Sequence, residues 1–427
     1  MSGVVGTIAK GTVRAGQGLT SWVHGLVARG YADLRTQRQN EAARGLVGMG
    51  EVSASNLVAG RGRSIVLGAP DQVADKAVAG LVASSLAQGV PAVVLSEGAG
   101  NLASELAALG WPGAEVLDAA RPAYEPLACL SEAEAVDVAA RALALVPGAP
   151  QETASYLGGI ARVISLMGGP VMVRSIDNFP HNRAHEVVAR LELGGSVDAT
   201  EAAALRTSLD ASASCKALVG SFFREAVAEG PLLAGAGPCL VPHGIAEMAC
   251  RVVPEALVLD VGSGQSTALL ALALSEIAQC ARRGLALTVV VRARSVARWD
   301  ELGWALRSAP TLNWMIVADE ALEFFSSEEG LRRWVAPCAR LACFSQSRAS
   351  AELVSSVFGE YDKVDLSRTQ TRGAGMGIFG AGSQGSSVTR SPRRERVVRP
   401  EELYGLAEGG FFFLDSDGAV GEGMTRW

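Results

Sequence analysis

The residues from Ser64 to Gly80 follow the order of a phosphate-binding segment. A short β-prone apolar run ends at Leu67, Gly68 opens a stretch of turn residues, and apolar residues recur at helical spacing from Gln72. Phosphate-binding turns of this kind have the pattern G-x-x-x-x-G-K-[ST], because backbone N–H groups and a lysine surround the phosphates while a hydroxyl holds Mg²⁺. We therefore predict a strand, a turn and a helix arranged as in a nucleotide site.

The positions that carry the chemistry in this pattern hold other residues. Counted from Gly68, the second glycine position holds Val73, the lysine position holds Ala74 and the hydroxyl position holds Asp75. Lys76 comes two residues later than the pattern requires, and Asp75 would place a carboxylate where the γ-phosphate or its metal should lie. We interpret Gly68, Val73, Ala74, Asp75 and Lys76 as degenerate nucleotide-binding positions and expect no cofactor. ATP and Mg²⁺ are expected only if the site has diverged without losing activity.

Apolar runs before and after a long helical stretch, residues 131–235, indicate a mainly parallel sheet. The apolar runs before this stretch alternate with shorter helical segments, and this β-α-β-α-β order implies right-handed crossovers between parallel strands. A second group completes the sheet after the helical stretch. The predicted strands are Ser64–Leu67, Val90–Leu95, Ala114–Asp118, Ala256–Asp260, Leu287–Val291, Trp314–Ala318, Arg340–Phe344 and Phe411–Leu414. A ligand of such a sheet would bind at the carboxyl ends of the strands.

The helical stretch predicts an all-α insertion in the α/β domain. Ser131 is a suitable N-cap for its first helix, with Glu134 three residues further on. The predicted segments are an N-terminal helical segment (1–50), the first part of the α/β domain (51–130), the all-α insertion (131–235) and the second part of the α/β domain (236–427).

The net charge of −6 gives the chain no overall attraction to nucleic acid, so any DNA contact must be local. The basic run from Arg390 to Arg396 could provide such a contact. It follows a Gly/Ser-rich loop, residues 371–387, and we interpret it as a solvated linker.

Composition argues against several other classes of protein. Four histidines and seven cysteines occur without a C-x-x-C pair, and the helix-spaced His181 and His185 have no third ligand, so we predict no metal site. The 49% of apolar residues favours a well-filled core. No apolar run approaches the roughly 20 residues that span a bilayer. We expect a cytoplasmic protein, with peripheral attachment to the inner face of a membrane through partners as an open alternative.

Three short segments, in this order, resemble the cytoplasmic ATPase of type IV secretion coupling proteins, the conjugative DNA-transfer pumps. Tyr124-Glu-Pro-Leu127 is similar to the Asn-Pro-Leu that leads into the family's all-α domain. The segment from Ser221 to Val227, with Leu232–Gly237 after it, is similar to the one that closes that domain. Arg399-Pro-Glu-Glu-Leu-Tyr-Gly-Leu406 is similar to the segment before the family's final strand. The resemblance runs from about Arg61 to Asp417 and implies a RecA-like, P-loop NTPase-type sheet with an inserted all-α domain.

The same resemblance shows which further residues depart from the family. The strand that ends at Val291 should lead into an Asp-Glu pair that holds the metal and activates water, but Arg292 and Ala293 follow it. The strand Trp314–Ala318 should lead into a sensor glutamine, and Asp319 stands there. Without the lysine, the hydroxyl and the metal-binding carboxylate, little offsets the charge of a γ-phosphate. We therefore assign no catalytic residue and no metal ligand.

The resemblance implies a non-catalytic component of a conjugative DNA-transfer or type IV secretion apparatus, acting as a structural or adaptor subunit in an oligomer. Its implied partners are other secretion subunits, an active ATPase paralogue, and DNA or DNA-processing cargo. One alternative is a divergent but active DNA-translocating ATPase. Another is an S-adenosylmethionine-dependent methyltransferase, because the glycine-rich run from Val258 to Ser266 is similar to the first motif of those enzymes.

Two surfaces are open to more than one interpretation. Arg292, Arg294 and Arg298 follow the strand that lacks the acidic pair, and they could face an acidic or phosphate-bearing partner or simply begin a solvated helix. The apolar stripe between Val13 and Val27 belongs to a helix that must bury this face against the body or against a partner.

Overall fold

The computed structural model describes residues 33–58, 60, 62–96, 102–110, 115–117, 124–228, 244–260, 267–292, 309–372 and 384–426. Several predicted features lie outside these residues. They are the apolar stripe between residues 13 and 27, residues 229–235 of the all-α insertion, the glycine-rich run from residue 261 to 266, Ala293, Arg294 and Arg298.

A large, mostly parallel sheet forms the centre of the molecule, as the apolar runs predicted. Its ten strands lie in the order β1-β12-β11-β8-β2-β7-β6-β3-β5-β4. Among the described residues, β11 is antiparallel to both of its neighbours, and the other adjacent pairs are parallel. The strands are β1 Val47–Ser53, β2 Ser64–Leu67, β3 Ala92–Ser96, β4 Glu115–Leu117, β5 Ala256–Asp260, β6 Leu287–Arg292, β7 Leu312–Ala318, β8 Arg340–Cys343, β11 Gly410–Asp415 and β12 Val420–Arg426.

The central strands β2, β3 and β8 are buried at every position because both faces of the sheet are covered. Successive side chains point to opposite faces, so Ile65 and Val289 belong to one core while their neighbours Val66 and Val290 belong to the other. Helix α2 packs on the second face. The first face forms one continuous core with α11 and the all-α insertion.

The helices lie between the strands along the chain and build the insertion. They are α1 33–44, α2 Asp71–Ala87, α3 Leu102–Ala108, α4 Glu132–Ala144, α5 Thr153–Leu166, α6 Val173–Asp177, α7 Ala184–Leu193, α8 Ala199–Leu209, α9 Ala213–Ala228, α10 Ile245–Ala249, α11 Thr267–Arg282, α12 Ala321–Phe324, α13 Glu328–Val335, α14 Arg348–Ser355 and α15 Pro400–Tyr404. None of the described helices is long and apolar enough to cross a membrane.

The first helix of the insertion begins with the predicted cap. The Ser131 side chain accepts from the Glu134 N–H, and the Glu134 carboxylate accepts from the Ser131 N–H at 3.0 Å, a capping box that satisfies two helix-end donors. The Glu134 carboxylate also pairs with Arg283 after α11, at 2.5 Å. Asp137, one turn along α4, pairs with Arg282 at 2.6 Å. Thus α4 is held against the last turn of a helix that covers the sheet.

Two buried carboxyl groups lie where the insertion leaves the sheet. Glu276 of α11 accepts from the Tyr124 hydroxyl at 2.7 Å and from the Ala246 N–H at 2.8 Å. Glu125 accepts from the N–H groups of Leu127 and Val173, at 3.2 and 3.1 Å. Burial raises the pKa of Glu125 to about 7 and that of Glu276 to about 8. The segment that resembles the family's Asn-Pro-Leu therefore joins the start of the insertion to α6, α10 and α11 through buried hydrogen bonds.

Three sequence predictions about boundaries were wrong. Residues 47–50 of the predicted N-terminal helical segment lie in β1, and a further strand, β12, follows the strand predicted to be the last. β1 was missed because its partner, β12, lies at the other end of the chain. β12 was missed although it forms a hairpin with the neighbouring β11.

The third wrong boundary concerns the Gly/Ser-rich loop 371–387 and the basic run after it. A separate two-stranded ribbon, β9 Glu360–Arg372 with β10 Gln384–Arg396, includes both ends of that loop and the whole basic run. Residues 373–383 lie outside the described residues. Pro392 suits this strand because the opposite residue, Val364, directs its N–H outward to Asn40, so this pair exchanges no ladder bond.

Candidate functional site

The candidate site lies at the carboxyl end of β2, where the connections of the sheet diverge. β2 lies between β7 and β8. The chain leaves β2 through α2 toward β3 on one side, and it leaves β8 toward β11 on the other side. Ligands of open parallel sheets bind at such a switch point. The segment predicted from the phosphate-binding pattern is therefore at the position where a nucleotide site would be built.

Gly68 makes the turn at this point, and no other residue fits there. Its φ is +68°, and a Cβ at this position would lie 2.3 Å from both the Ser345 carbonyl oxygen and the Gln346 amide nitrogen. Its N–H donates to the Ala318 carbonyl at 2.8 Å. The end of β2 is thus tied to the ends of both neighbouring strands, and the backbone of the turn packs against protein.

The turn is too short to present an open cradle of N–H groups. Helix α2 begins at Asp71, three residues after Gly68. The N–H groups of Val73 and Ala74 donate to the Pro70 carbonyl at 2.8 and 2.9 Å. These two groups occupy the second glycine and lysine positions of the phosphate-binding pattern, and both are already used within the helix. The side chains of Val73 and Ala74 are buried in the core under α2.

An arginine from another strand fills the space in front of α2. Arg292 ends β6, and its guanidinium donates to the Asp75 carboxylate and, at 2.6 Å, to the Asp71 carboxylate. The Arg292 and Asp75 side chains are 21% and 11% exposed, whereas Asp71 is 72% exposed. This ion pair joins β6 to α2 past the end of β7, which lies between β6 and β2.

The charged residues of this ion pair differ from those that the family pattern would place at the same two positions. Asp75 stands at the hydroxyl position, and Arg292 stands where a metal-binding carboxylate would follow the strand. The cation at this edge is a guanidinium that belongs to the chain. Arg292, one of the three arginines that could face a partner subunit, is paired within the same molecule.

The edge contains a glutamine that the sequence analysis missed. We expected a sensor glutamine after β7, and Asp319 is there, but Gln346 reaches the same place from the end of β8. Its amide oxygen accepts from the Ala321 N–H at 2.9 Å, and its amide nitrogen donates to the Asp319 carbonyl at 3.2 Å. Its position two residues after the predicted strand Arg340–Phe344 was the available signal. Gln346 is buried and holds the turns after β7 and β8 together.

The remaining predicted positions are more dispersed. Lys76 is half-buried on α2. His181 accepts or donates one hydrogen bond with the Tyr156 hydroxyl, at 2.8 Å from its Nδ1. Within the part of the chain that the structure describes, no group of three or more His, Cys, Asp or Glu side chains is arranged to hold a metal ion.

Comparison with solved structures gives strong matches over most of the chain. The bacterial conjugative coupling protein TrwBdeltaN70, in an unbound form, matches with a TM-score of 0.57 and 15% identity over 85% of this chain and 84% of that one. The plasmid coupling protein TrwB in complex with a non-hydrolysable GTP analogue, GDPNP, matches with a TM-score of 0.53 and 13% identity over 85% of both chains. VirB4 of Thermoanaerobacter pseudethanolicus matches with a TM-score of 0.40.

The chain has the fold of a conjugative coupling protein. The predicted α/β class, with a RecA-like, mainly parallel sheet and inserted helices, is confirmed by these matches. The methyltransferase alternative receives no support from them. No family model and no curated protein matches the sequence.

The ion pair between Arg292 and Asp75 predicts a measurable coupling energy. We expect Arg292→Ala and Asp75→Ala to destabilise the protein less together than the sum of their separate effects, with a coupling of about 1–2 kcal/mol for a partly buried pair. Urea unfolding of the wild type, both single variants and the double variant measures it.

The exposed pair Glu329–Arg333, with side chains 76% and 62% exposed, is the control, and it should couple by less than about 0.5 kcal/mol. If the Arg292–Asp75 coupling were no larger than that of the control, the ion pair would not be what holds β6 to α2.

Proposed function

We propose that this chain is a coupling-protein-like component of a conjugative DNA-transfer or type IV secretion apparatus that neither binds Mg-ATP tightly nor hydrolyses it. The observation that carries the proposal is the ion pair of Arg292 with Asp75 and Asp71 at the carboxyl end of β2. The fold supports the relation to coupling proteins, and the residues at the carboxyl end of β2 support the absence of ATPase activity.

Electrostatics at this edge opposes a triphosphate. Phosphoryl transfer depends on cations and N–H donors that are placed around the β- and γ-phosphates before the reaction. Here one guanidinium is already shared by two carboxylates. A phosphate that displaced them would leave Asp75, whose side chain is 11% exposed, without its cation. The cost of leaving a partly buried carboxylate unpaired opposes binding.

The rival proposal is a divergent but active DNA-translocating ATPase. The observation that favours it is the similarity of the fold to TrwB, one structure of which contains a GTP analogue. Such an enzyme would need a lysine or arginine at the phosphates and a carboxylate for the metal, supplied from other positions. The two proposals differ in one property, which is the affinity of the purified protein for a nucleoside triphosphate.

We predict that isothermal titration with Mg-ATP or Mg-GTP shows no binding tighter than about 1 mM, because the phosphate-binding positions hold Val73, Ala74 and Asp75 and the metal position holds Arg292. Ala74→Lys alone should not create binding, since the Arg292 ion pair remains and residue 74 faces the core. Circular dichroism verifies that this variant is folded. Micromolar affinity in the wild type would reject the proposal and favour the active ATPase.

We also propose that the chain works as a structural or adaptor subunit in an assembly. Its partners are other secretion subunits, among them an active ATPase of the same fold, and DNA or DNA-processing cargo. Through these partners it would act in the cytoplasm at the inner face of the membrane. Head-to-tail contacts between RecA-like subunits close into rings, and a subunit without its own site can still supply one edge of its neighbour.

Light scattering at micromolar concentration tests the assembly. We expect a complex when the chain is mixed with the active ATPase of the same apparatus. This complex could be a mixed ring, or an oligomer of this chain alone to which the ATPase binds. A monomer both alone and in the mixture would contradict the adaptor role. It would leave the nucleotide prediction untouched, because that prediction concerns the separate chain.

A further inference from the structure

The β9–β10 ribbon is a two-stranded sheet that is separate from the ten-stranded one. Its register is continuous from Glu360 opposite Arg396 to Arg372 opposite Gln384, which is 13 residues in each strand. At about 3.4 Å per residue the ribbon is about 40 Å long. An isolated two-stranded ribbon is only marginally stable in water. A ribbon without a third strand therefore suggests a surface that binds a ligand or partner.

The hydrogen bonds that join the ribbon to the body lie in its proximal half. The Asn40 side chain of α1 donates to the Val364 carbonyl at 3.1 Å and accepts from the Val364 N–H at 2.9 Å. Arg396 donates to the Glu352 carboxylate at 2.8 Å. These contacts fix the base and the direction of the ribbon. The distal half, residues 366–372 and 384–391, extends beyond them.

The distal half differs in charge from the rest of the chain. It contains three arginines, seven serines or threonines and two glutamines, and it contains no aspartate or glutamate, whereas the whole chain has a net charge of −6. Arginine, hydroxyl and amide side chains are the usual donors to phosphate oxygens. The only large apolar residues there are Leu366 and Val388, too few for insertion into a membrane.

Three arginines on the two faces of β10 form no ion pair in the described part of the chain, and one of them, Arg394, stands directly opposite Asp362. All three, Arg390, Arg393 and Arg394, are exposed. Arg393 stands directly opposite Lys363, whose ammonium is already paired with Glu395 at 2.7 Å. The Glu395 carboxylate is thus used by Lys363, and the exposed Arg393 guanidinium remains available to an anionic ligand.

We propose that the β9–β10 ribbon binds double-stranded nucleic acid through phosphate contacts from Arg390, Arg393 and Arg394. The major groove of B-DNA, about 12 Å wide, accepts a two-stranded β-ribbon, and strands about 5 Å apart place side chains toward both of its phosphate walls. Contacts to phosphates alone would make this binding independent of base sequence and strongly dependent on salt. The inference rests on the proposed function, which includes DNA among the partners, and it assigns the surface that binds it; it holds whether or not the nucleotide site is active.

Fluorescence anisotropy with a labelled 25-base-pair duplex tests the inference on the full-length chain. We expect the triple variant Arg390→Gln, Arg393→Gln, Arg394→Gln to bind the duplex at least about tenfold more weakly at low salt, and the slope of log K against log salt to fall by roughly 2 to 3, as for three lost phosphate contacts. The triple lysine variant at the same positions keeps the charges and should bind within about threefold of the wild type.

A charge-matched control removes three exposed arginines far from the ribbon, Arg183→Gln, Arg224→Gln and Arg333→Gln, whose side chains are 64%, 73% and 62% exposed. It should retain the affinity of the wild type. Equal losses in the control and ribbon variants would mean a general charge effect and would overturn the inference. So would absence of duplex binding by the wild type, or binding to anionic phospholipid vesicles without binding to the duplex.

Discussion

The ion pair of Arg292 with Asp75 and Asp71 is the interaction on which the account of this protein depends. It connects the end of β6 with the first turns of α2, and between them lies the end of β7. In an active nucleotide site these elements are bridged by a metal ion and phosphates, which are present only when the ligand is bound. Here the side chains of the chain itself join the same elements.

The parallel sheet explains why such a substitution can occur without loss of the fold. Its strands are buried by two apolar cores, and neither core contains the charged residues of the carboxyl edge. Stability of the sheet comes from apolar burial, whereas the edge needs only compatible charges and turns. The glycine at position 68 remains necessary because the Ser345 backbone and Gln346 leave no space for a Cβ. Turn geometry is thus retained at a place where the phosphate-binding residues are absent.

Much of the fold could be predicted from local sequence, and the failures have a common cause. Continuous apolar runs located the central strands, and Ser131 with Glu134 located the first helix of the insertion, because burial and capping act within a few residues. β1 pairs with β12 across almost the whole chain, and β10 pairs with a strand beyond a glycine-rich segment, so neither β1 nor β10 had a sufficient local signal. β12 is the exception, because it forms a hairpin with the neighbouring β11. Similarly, the altered positions at 75 and 292 were visible in the sequence, but their contact joins residues 217 positions apart. Gln346 was missed because the sheet order places β8, not only β7, beside β2.

Hydrogen–deuterium exchange with and without Mg-ATP tests most directly whether the chain's own ion pair has replaced the nucleotide. The informative peptides cover residues 68–80, with the turn and the start of α2, and residues 287–292 of β6. A bound triphosphate would protect backbone amides in both, whereas the account predicts that millimolar Mg-ATP leaves their exchange unchanged. Protection of both peptides by Mg-ATP would contradict it.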